Sequence, residues 1–262
     1  MKSTSVKTLG MLFLCLFLGA CITETSNPVF NVERSDDEAL ENYLLLAVGY
    51  LDEDDLVSAK RHLSNAADID PNNSDIFAIW GLVYSREGEM DLADENFRRA
   101  LRINPGDSQA RNNYAAFLFA QGQFENAFEE LEQVVRDTEY PQRAQAFENM
   151  GIAALQLNLI NEAEQAFTRA MQLNSNQLRS ALELTSINIS RNNIPQARAF
   201  WQNYLTLIQF YNLGHNPRSL LIGVQVELAM QNSDRAGQYG EMLRTSFPGS
   251  PEYQTYRQLT GN

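Results

Sequence analysis

Cysteine and histidine are scarce in this chain of 262 residues, which contains two of each. Cys15 and Cys21 both lie near the start, and His62 and His215 are widely separated along the chain. A disulfide framework across the rest of the protein is excluded, since no cysteine follows residue 21. Two distant histidines do not make a zinc site, so the sequence predicts no bound metal.

Basic residues are also in deficit. The chain has 20 lysines and arginines against 33 aspartates and glutamates, and its formal net charge is −13. A chain with this charge repels phosphate backbones and anionic membrane surfaces. Nucleic acid is therefore excluded as a partner, and any attachment to a membrane has to come from something other than charge.

Long hydrophobic runs are absent too. The apolar stretch at residues 9–18 is about half of the ~20 residues that a membrane-spanning helix needs. It follows Lys2 and Lys7 and precedes Gly19 and Ala20, which is the order found in export signals. We expect residues 1–20 to be a signal peptide whose removal leaves 242 residues with a formal charge of −15.

No catalytic motif is present in the sequence. It has no glycine-rich phosphate loop ending in lysine and no Gly-x-Ser-x-Gly elbow. The acidic run at residues 52–55 lacks the spaced ligands, the glycine and the terminal glutamate of a calcium-binding EF-hand. We therefore expect no enzyme activity, no cofactor, no metal and no small-molecule substrate, which leaves binding to another protein.

The sequence LGAC at residues 18–21 places a cysteine directly after the predicted cleavage point. It resembles the bacterial lipobox, whose cysteine is diacylated and then becomes the acylated N-terminus. The alternative is an ordinary secretory signal followed by a chance cysteine. Several acyl chains on Cys21, at ~0.8 kcal/mol per buried CH₂, would form a stable membrane anchor. Ile22 follows in place of aspartate, which by resemblance to sorted lipoproteins predicts the periplasmic face of the outer membrane.

Residues 21–37 separate the predicted anchor from the first periodic segment. They are mostly polar, contain Pro28 and show no lasting helical or strand period. This composition predicts a flexible tether between the lipid and the fold.

Self-similarity is the strongest signal in the rest of the chain. An alanine recurs at intervals of 34, 34, 36, 34 and 39 residues. These alanines are Ala59, Ala93, Ala127, Ala163, Ala197 and Ala236. A 34-residue period made of two amphipathic helices is the signature of tetratricopeptide repeats (TPRs). We therefore predict an all-α fold, a right-handed superhelical TPR solenoid of about six helix-turn-helix repeats with a short C-terminal capping helix.

The repeats are predicted within residues 38–262. Their approximate bounds are 40–73, 74–107, 108–143, 144–177, 178–216 and 217–250, followed by a cap at 251–262. In repeat two, the small Gly81 lets the two helices approach, and the large Phe97 fills the space beside their crossing. The pattern weakens towards the end, where Thr185 replaces a small residue, Gly240 replaces a large one, and residues 209–216 form an insertion.

The first helix of each repeat is expected on the concave side of a TPR solenoid. Positions that face away from the core there are mostly apolar in the first four repeats, and large exposed apolar patches usually mark a binding site. We predict a groove that binds another protein as a helix or an extended segment. Its predicted residues are Leu44, Val48, Leu51, Leu82, Asn112, Asn113, Ala116, Phe119, Asn149 and Ile152.

Asn113 and Asn149 occupy the same position in repeats three and four. Their amides either pair with the backbone of a ligand or hydrogen-bond within their own repeat, and the sequence leaves both open. The predicted groove has no cluster of lysine and arginine comparable to the clamp with which chaperone-binding TPR domains hold a C-terminal carboxylate. A helix, or a segment from the interior of a sequence, is therefore favoured as the ligand.

Several stretches carry a resemblance to a known family. In addition to the lipobox, they are NNYAAFLFAQGQFENA, TEYPQRAQAFENMGIAALQ, PRSLLIGVQ and FPGSPEYQTY. They resemble the PilF/PilW family of type IV pilus biogenesis lipoproteins. The resemblance implies an outer-membrane pilotin, which binds the secretin that forms the pilus exit channel and promotes its localisation and multimerisation in the outer membrane. The alternative is a TPR lipoprotein that serves as a scaffold for other envelope or peptidoglycan-assembly proteins.

Overall fold

The computed structural model describes residues 35–261, in which there are thirteen α-helices and no strand. The helices are α1 (Asp36–Asp52), α2 (Leu56–Ile69), α3 (Ser74–Glu87), α4 (Met90–Ile103), α5 (Ser108–Ala120), α6 (Phe124–Val134), α7 (Arg143–Gln156), α8 (Ile160–Leu173), α9 (Leu178–Ser190), α10 (Ile194–Phe210), α11 (Pro217–Ala229), α12 (Ser233–Ser246) and α13 (Pro251–Thr260). The predicted signal peptide at residues 1–20, Cys21 and most of the predicted tether lie outside the described residues. None of the thirteen helices has both the length and the apolar character needed to cross a bilayer.

Consecutive helices pack in pairs, from α1 with α2 to α11 with α12, and α13 packs against α11 and α12 at the end. Each odd-numbered helix also contacts the next odd-numbered helix. No two even-numbered helices are in contact within residues 36–260. The first helices of the repeats therefore form a continuous inner layer, and the second helices are spread apart on the outside.

A small residue on the first helix meets a large residue on the second helix where the two cross. Phe97 of α4 is fully buried, and a Cβ atom added to Gly81 of α3 would lie 2.8 Å from its ring. Gly151 and Phe167 repeat this arrangement in α7 and α8, where the corresponding distance is 2.6 Å. Because these approaches are closer than a real Cβ tolerates, the two rings can sit this close only to glycine.

Side-chain caps, left-handed residues and prolines set the helix boundaries. Asn73 accepts hydrogen bonds from the backbone N–H groups of Asp75 and Ile76 at the start of α3. Gly88, with φ of 82°, ends the same helix in the left-handed conformation. Pro71 follows the end of α2 by two residues, where a ring without an N–H cannot extend a helix.

The two weak positions of the repeat pattern are compensated by other residues. Thr185 is fully buried at the small-residue position of α9, and its hydroxyl donates to the carbonyl oxygen of Ala181 at 2.8 Å. At Gly240 the missing large side chain is supplied by Tyr256 of α13, whose ring lies 2.1 Å from where a Cβ atom of Gly240 would be. The capping helix thus completes the last repeat.

The predicted insertion at residues 209–216 is partly helical, since α10 continues to Phe210. In the remaining loop, the ring of His215 packs against Trp201, Tyr204 and Tyr239 at centroid distances of 6.1, 6.0 and 5.6 Å. Burial in this cluster lowers the pKa of His215. The loop is therefore held between repeats five and six.

Replacing Phe97 by alanine should lower the free energy of unfolding by roughly 3 to 5 kcal/mol, because the lost ring leaves a cavity beside Gly81. Chemical denaturation followed by circular dichroism measures this change. Leu92→Ala is the matched control, since Leu92 lies on the exposed side of the same helix and its loss should cost no more than about 0.5 kcal/mol. Equal losses in both variants would contradict the packing described for Phe97.

Candidate protein-binding groove

Two apolar clefts lie along the inner layer of first helices. The proximal cleft has a volume of about 400 Å³ and lies between α1, α3 and α5. Seven of its twelve lining residues are apolar, and the other five carry carboxylates or amides. It is lined by Glu41, Leu44, Leu45, Val48, Asp75, Ala78, Ile79, Leu82, Asp107, Gln109, Ala110 and Asn113.

The distal cleft continues the groove towards the next repeats. It has a volume of about 330 Å³ and is built from α5, α6, α7 and α9. Phe119 supplies its aromatic wall, and Arg179 is the charged residue in its lining. The lining residues are Ala115, Ala116, Phe119, Leu131, Asn149, Ile152, Gln156 and Arg179.

Eight of the ten predicted groove residues line these two clefts. They share a helix face, because residues one turn apart on a first helix point in the same direction. In the proximal cleft they are Leu44, Val48, Leu82 and Asn113, and in the distal cleft they are Ala116, Phe119, Asn149 and Ile152. Their part in binding a partner stays a prediction.

The predicted placement of Leu51 in the groove is wrong. Leu51 is only 4% exposed and packs in the core of repeat one with Leu63 and Ile79. It lies one turn after the buried Ala47 on α1, so it points the same way, into the repeat. The sequence did not reveal this because apolar residues occur on most sides of α1.

The three predicted asparagines form different hydrogen bonds. Asn113 accepts from Nε2 of Gln109 at 3.0 Å within α5. Asn149 accepts from Nε2 of Gln145 at 3.2 Å within α7 and donates from Nδ2 to Oδ1 of Asn112 at 3.4 Å. Asn112 therefore ties repeat three to repeat four and does not line a cleft. Asn113 and Asn149 each form a hydrogen bond within their own repeat and also line a cleft, so pairing of their amides with the backbone of a ligand stays a prediction.

Comparison with known proteins identifies the family. Sequence patterns of the tetratricopeptide repeat match residues 84–148 and 144–177. Over 258 residues, which cover 97% of this chain and 98% of the relative, the sequence is 33% identical to the type IV pilus assembly protein PilF of Pseudomonas aeruginosa. This chain belongs to the PilF family of tetratricopeptide-repeat proteins.

Solved structures agree with this assignment. The structure of Pseudomonas aeruginosa PilF matches with a TM-score of 0.80 and 34% identity, covering 86% of this chain and 99% of that one. PilW, a widely conserved type IV pilus biogenesis factor, shares the fold with a TM-score of 0.68 at 24% identity, over 83% of this chain and 98% of its own. The resemblance to this family and the all-α TPR superhelix are thereby confirmed.

In this PilF-family groove, carboxylates surround the proximal cleft. Glu41, Asp75 and Asp107 line it, and no cationic side chain of residues 35–261 does. The pKa of Asp75 is raised, first because burial removes water from its carboxyl group and then because the negative charge of Asp107 lies nearby. None of the three carboxylates was among the predicted groove residues, although the positions of Asp75 and Asp107 at the starts of α3 and α5 could have indicated these two.

A wider polar cleft of about 480 Å³ lies among α4, α5 and α6, away from the groove. Three of its charged side chains form ion pairs, since Arg98 lies 2.8 Å from Asp94 and Arg111 lies 2.5 Å from Glu130. Tyr114 donates to Asp94 at 2.7 Å, and burial together with this bond raises the pKa of Tyr114 to about 12. Because these groups already satisfy one another, this cleft is a weaker candidate for binding than the groove.

The two histidines of this PilF-family chain lie outside both clefts. His62 stacks on Tyr50 with ring centroids 5.3 Å apart, and His215 belongs to the aromatic cluster between repeats five and six. Residues 35–261 contain no group of three histidine, cysteine or acidic side chains arranged to hold a metal ion. Both histidines have packing roles.

Asp107→Asn should lower the pKa of Asp75 towards the ordinary range of an aspartate, because it removes the neighbouring negative charge. Asparagine can keep the cap that Asp107 makes with the backbone N–H of Ala110, so α5 should remain intact. NMR titration of the side-chain carboxyl carbons measures the pKa. Asp91→Asn at the start of α4 is the control. The same pKa of Asp75 in both variants would show that the carboxyl groups of Asp75 and Asp107 do not interact.

Proposed function

We propose that this protein is a pilotin of type IV pilus biogenesis, an outer-membrane lipoprotein that binds the secretin subunit through its inner groove. It promotes the localisation of the secretin and its multimerisation in the outer membrane. The observation that carries the proposal is the pair of apolar clefts on the inner layer of a PilF-family chain. Its relative in Pseudomonas aeruginosa is named as a type IV pilus assembly protein. The protein acts by binding and not by catalysis.

The clefts suit a helical or extended segment of another protein. Val48 and Leu82 present apolar surface in the proximal cleft, and Phe119 presents it in the distal cleft. Each leucine or phenylalanine that a partner buries there contributes about 1.5–3 kcal/mol, so a few such side chains carry most of the binding energy. Because the cleft walls are packed helices, the cost of becoming ordered falls mainly on the partner.

In this proposal the lipid on Cys21 places the groove at the membrane where the secretin assembles. The segment at residues 21–35 links the lipid to α1 and limits the distance over which the groove can move. Tethering of this kind raises the effective concentration of a captured secretin subunit without any additional contact. Capture and delivery are therefore separate tasks, performed by the groove and by the lipid.

Cys21→Ala should leave a folded protein that is no longer anchored, and it should lower the amount of heat-resistant secretin multimer, because the groove is no longer held at the outer membrane. Membrane fractionation and gel electrophoresis of the secretin measure both effects. Cys15→Ala is the matched control, since Cys15 lies in the signal peptide that is removed. Normal multimer and normal pilus-driven motility in the Cys21→Ala strain would reject the pilotin proposal.

Leu82→Glu and Phe119→Glu should each weaken capture of the secretin by at least about tenfold, because a partner would have to bury an unpaired carboxylate against an apolar surface. Co-purification from detergent-solubilised envelopes measures capture, and circular dichroism should show unchanged helix content. Val57→Glu is the control, since Val57 is 75% exposed on α2 and lies outside both clefts. Wild-type capture by both groove variants would place the binding site elsewhere.

The same co-purification separates the pilotin from a scaffold for other envelope proteins. A pilotin should bring down the secretin as its main partner. A scaffold should bring down cell-wall enzymes in its place, and that result would favour the alternative function.

A further inference from the structure

The side chain at one equivalent position of the first helices differs in charge from repeat to repeat along the groove. Asp75, Gln109, Gln145 and Arg179 lie at the same place in four successive repeats, at intervals of 34, 36 and 34 residues. All four lie near the starts of their helices, α3, α5, α7 and α9. The series therefore runs from an acid through two amides to a base.

This series runs beside the apolar clefts and not on the outside of the solenoid. Asp75 and Gln109 line the proximal cleft, and Arg179 lines the distal cleft. In the last three repeats of the series, a second polar residue one turn later contacts the first. These pairs are Gln109 with Asn113, Gln145 with Asn149, and Arg179 with Glu183. We call the series from Asp75 to Arg179 the polar row. A partner in the groove would meet this row and the apolar surface together.

The acidic end of the row has no cationic side chain among the residues that the structure describes. Glu41 and Asp107 join Asp75 around the apolar floor of the proximal cleft, and no lysine, arginine or histidine among residues 35–261 lines it. Burial and then the charge of Asp107 raise the pKa of Asp75, so a negative charge on Asp75 is disfavoured beside Asp107. A lysine or arginine from a partner would relieve this repulsion, and the apolar floor would pack against its methylene groups.

Arg179, at the basic end of the row, forms only a long ion pair. Arg179 lies 3.8 Å from the carboxylate of Glu183, which is already bound by Arg218 at 2.5 Å and 3.2 Å. Glu183 is buried, and Arg218 is its nearer ion-pair partner. The side chain of Arg179 is 57% exposed and lines the distal cleft. It can therefore form a charge-assisted hydrogen bond with a partner carboxylate.

We propose that the groove binds a secretin segment that carries lysine or arginine at one end, aspartate or glutamate at the other, and apolar residues between them. The basic end lies in the proximal cleft and the acidic end lies beside Arg179. This inference rests on the proposed function and adds to it the charge pattern and the direction of the bound segment.

Charge complementarity of this kind determines direction more than it determines affinity. Apolar clefts alone would accept an apolar segment in either direction. A reversed segment would bring acidic side chains to Asp75 and basic side chains to Arg179, and such contacts between like charges are strongly disfavoured. The row thus selects one direction for a segment that the apolar surface holds.

The first test measures capture of detergent-solubilised secretin by the full-length protein at low and at high salt. The double variant Asp75→Asn with Asp107→Asn removes two of the three carboxylates of the proximal cleft, and separately Arg179→Gln removes the positive charge at the basic end of the row. Each should weaken capture about three- to tenfold at low salt and reduce its salt dependence, because partly exposed charge pairs contribute modestly and are screened. Asp91→Asn at the start of α4 and Arg198→Gln on α10 lie outside both clefts and should capture like the wild type.

The second test determines the direction of the bound segment. The photoreactive residue p-benzoylphenylalanine is placed at Val48 in the proximal cleft or at Ile152 in the distal cleft. Mass spectrometry then identifies the secretin peptides that become crosslinked to each position. The peptide at Val48 should contain lysine or arginine, and the peptide at Ile152 should contain aspartate or glutamate.

The outcomes separate this inference from the function on which it rests. If the wild-type protein captures no secretin, the proposed function fails and the inference fails with it. If the wild type captures secretin while the charge variants retain its affinity and salt dependence, the function stands and the inference is wrong. Crosslinks in the opposite order would likewise overturn the inference while leaving the function intact.

Discussion

The packing of a large side chain from the second helix against a small residue of the first helix, as in repeats two and four, underlies the geometry of the array. Phe97 lies so close to Gly81 that no Cβ atom would fit between them without a shift. The same ring contacts Tyr114 and Phe117 of the next repeat, with centroid distances of 5.6 and 5.5 Å. A single side chain therefore sets the crossing within a repeat and the stacking onto the following one. Repetition of this contact brings the first helices together as an inner layer.

The groove is a consequence of that layer. Once each first helix contacts its second helix and both neighbouring first helices, one face remains uncovered on the inner side. In repeats one to four this face carries residues such as Val48, Leu82 and Phe119, which is why the layer contains apolar clefts. The fold supplies the shape of the groove, and the identity of a few side chains on one face supplies its chemistry.

The C-terminal repeats are held together in a different way. Glu148 of α7 accepts hydrogen bonds from the backbone N–H and the hydroxyl of Ser180 at 2.8 and 2.7 Å, and the buried Glu183 of α9 pairs with Arg218 of α11. Buried carboxylates demand well-placed partners, so these contacts favour one alignment of repeats four, five and six. The two clefts extend no further than α9. In the proposed function, the first repeats bind the partner, and the last repeats with α13 close the array.

The amino-acid sequence by itself determined the repeat, the helix pairs, the candidate lipidation residue and eight of the residues that line the groove. These features follow from short-range rules, because a 34-residue period, a helical face and a lipobox can each be recognised from neighbouring positions. Only the tertiary structure decided the burial of Leu51, the filling of the Gly240 position by Tyr256, and the gathering of Asp75 with Asp107 beside an apolar floor. Each of these depends on which faces of separate helices meet. That choice is made by the crossing angles of packed helices, which no local pattern in the sequence contains.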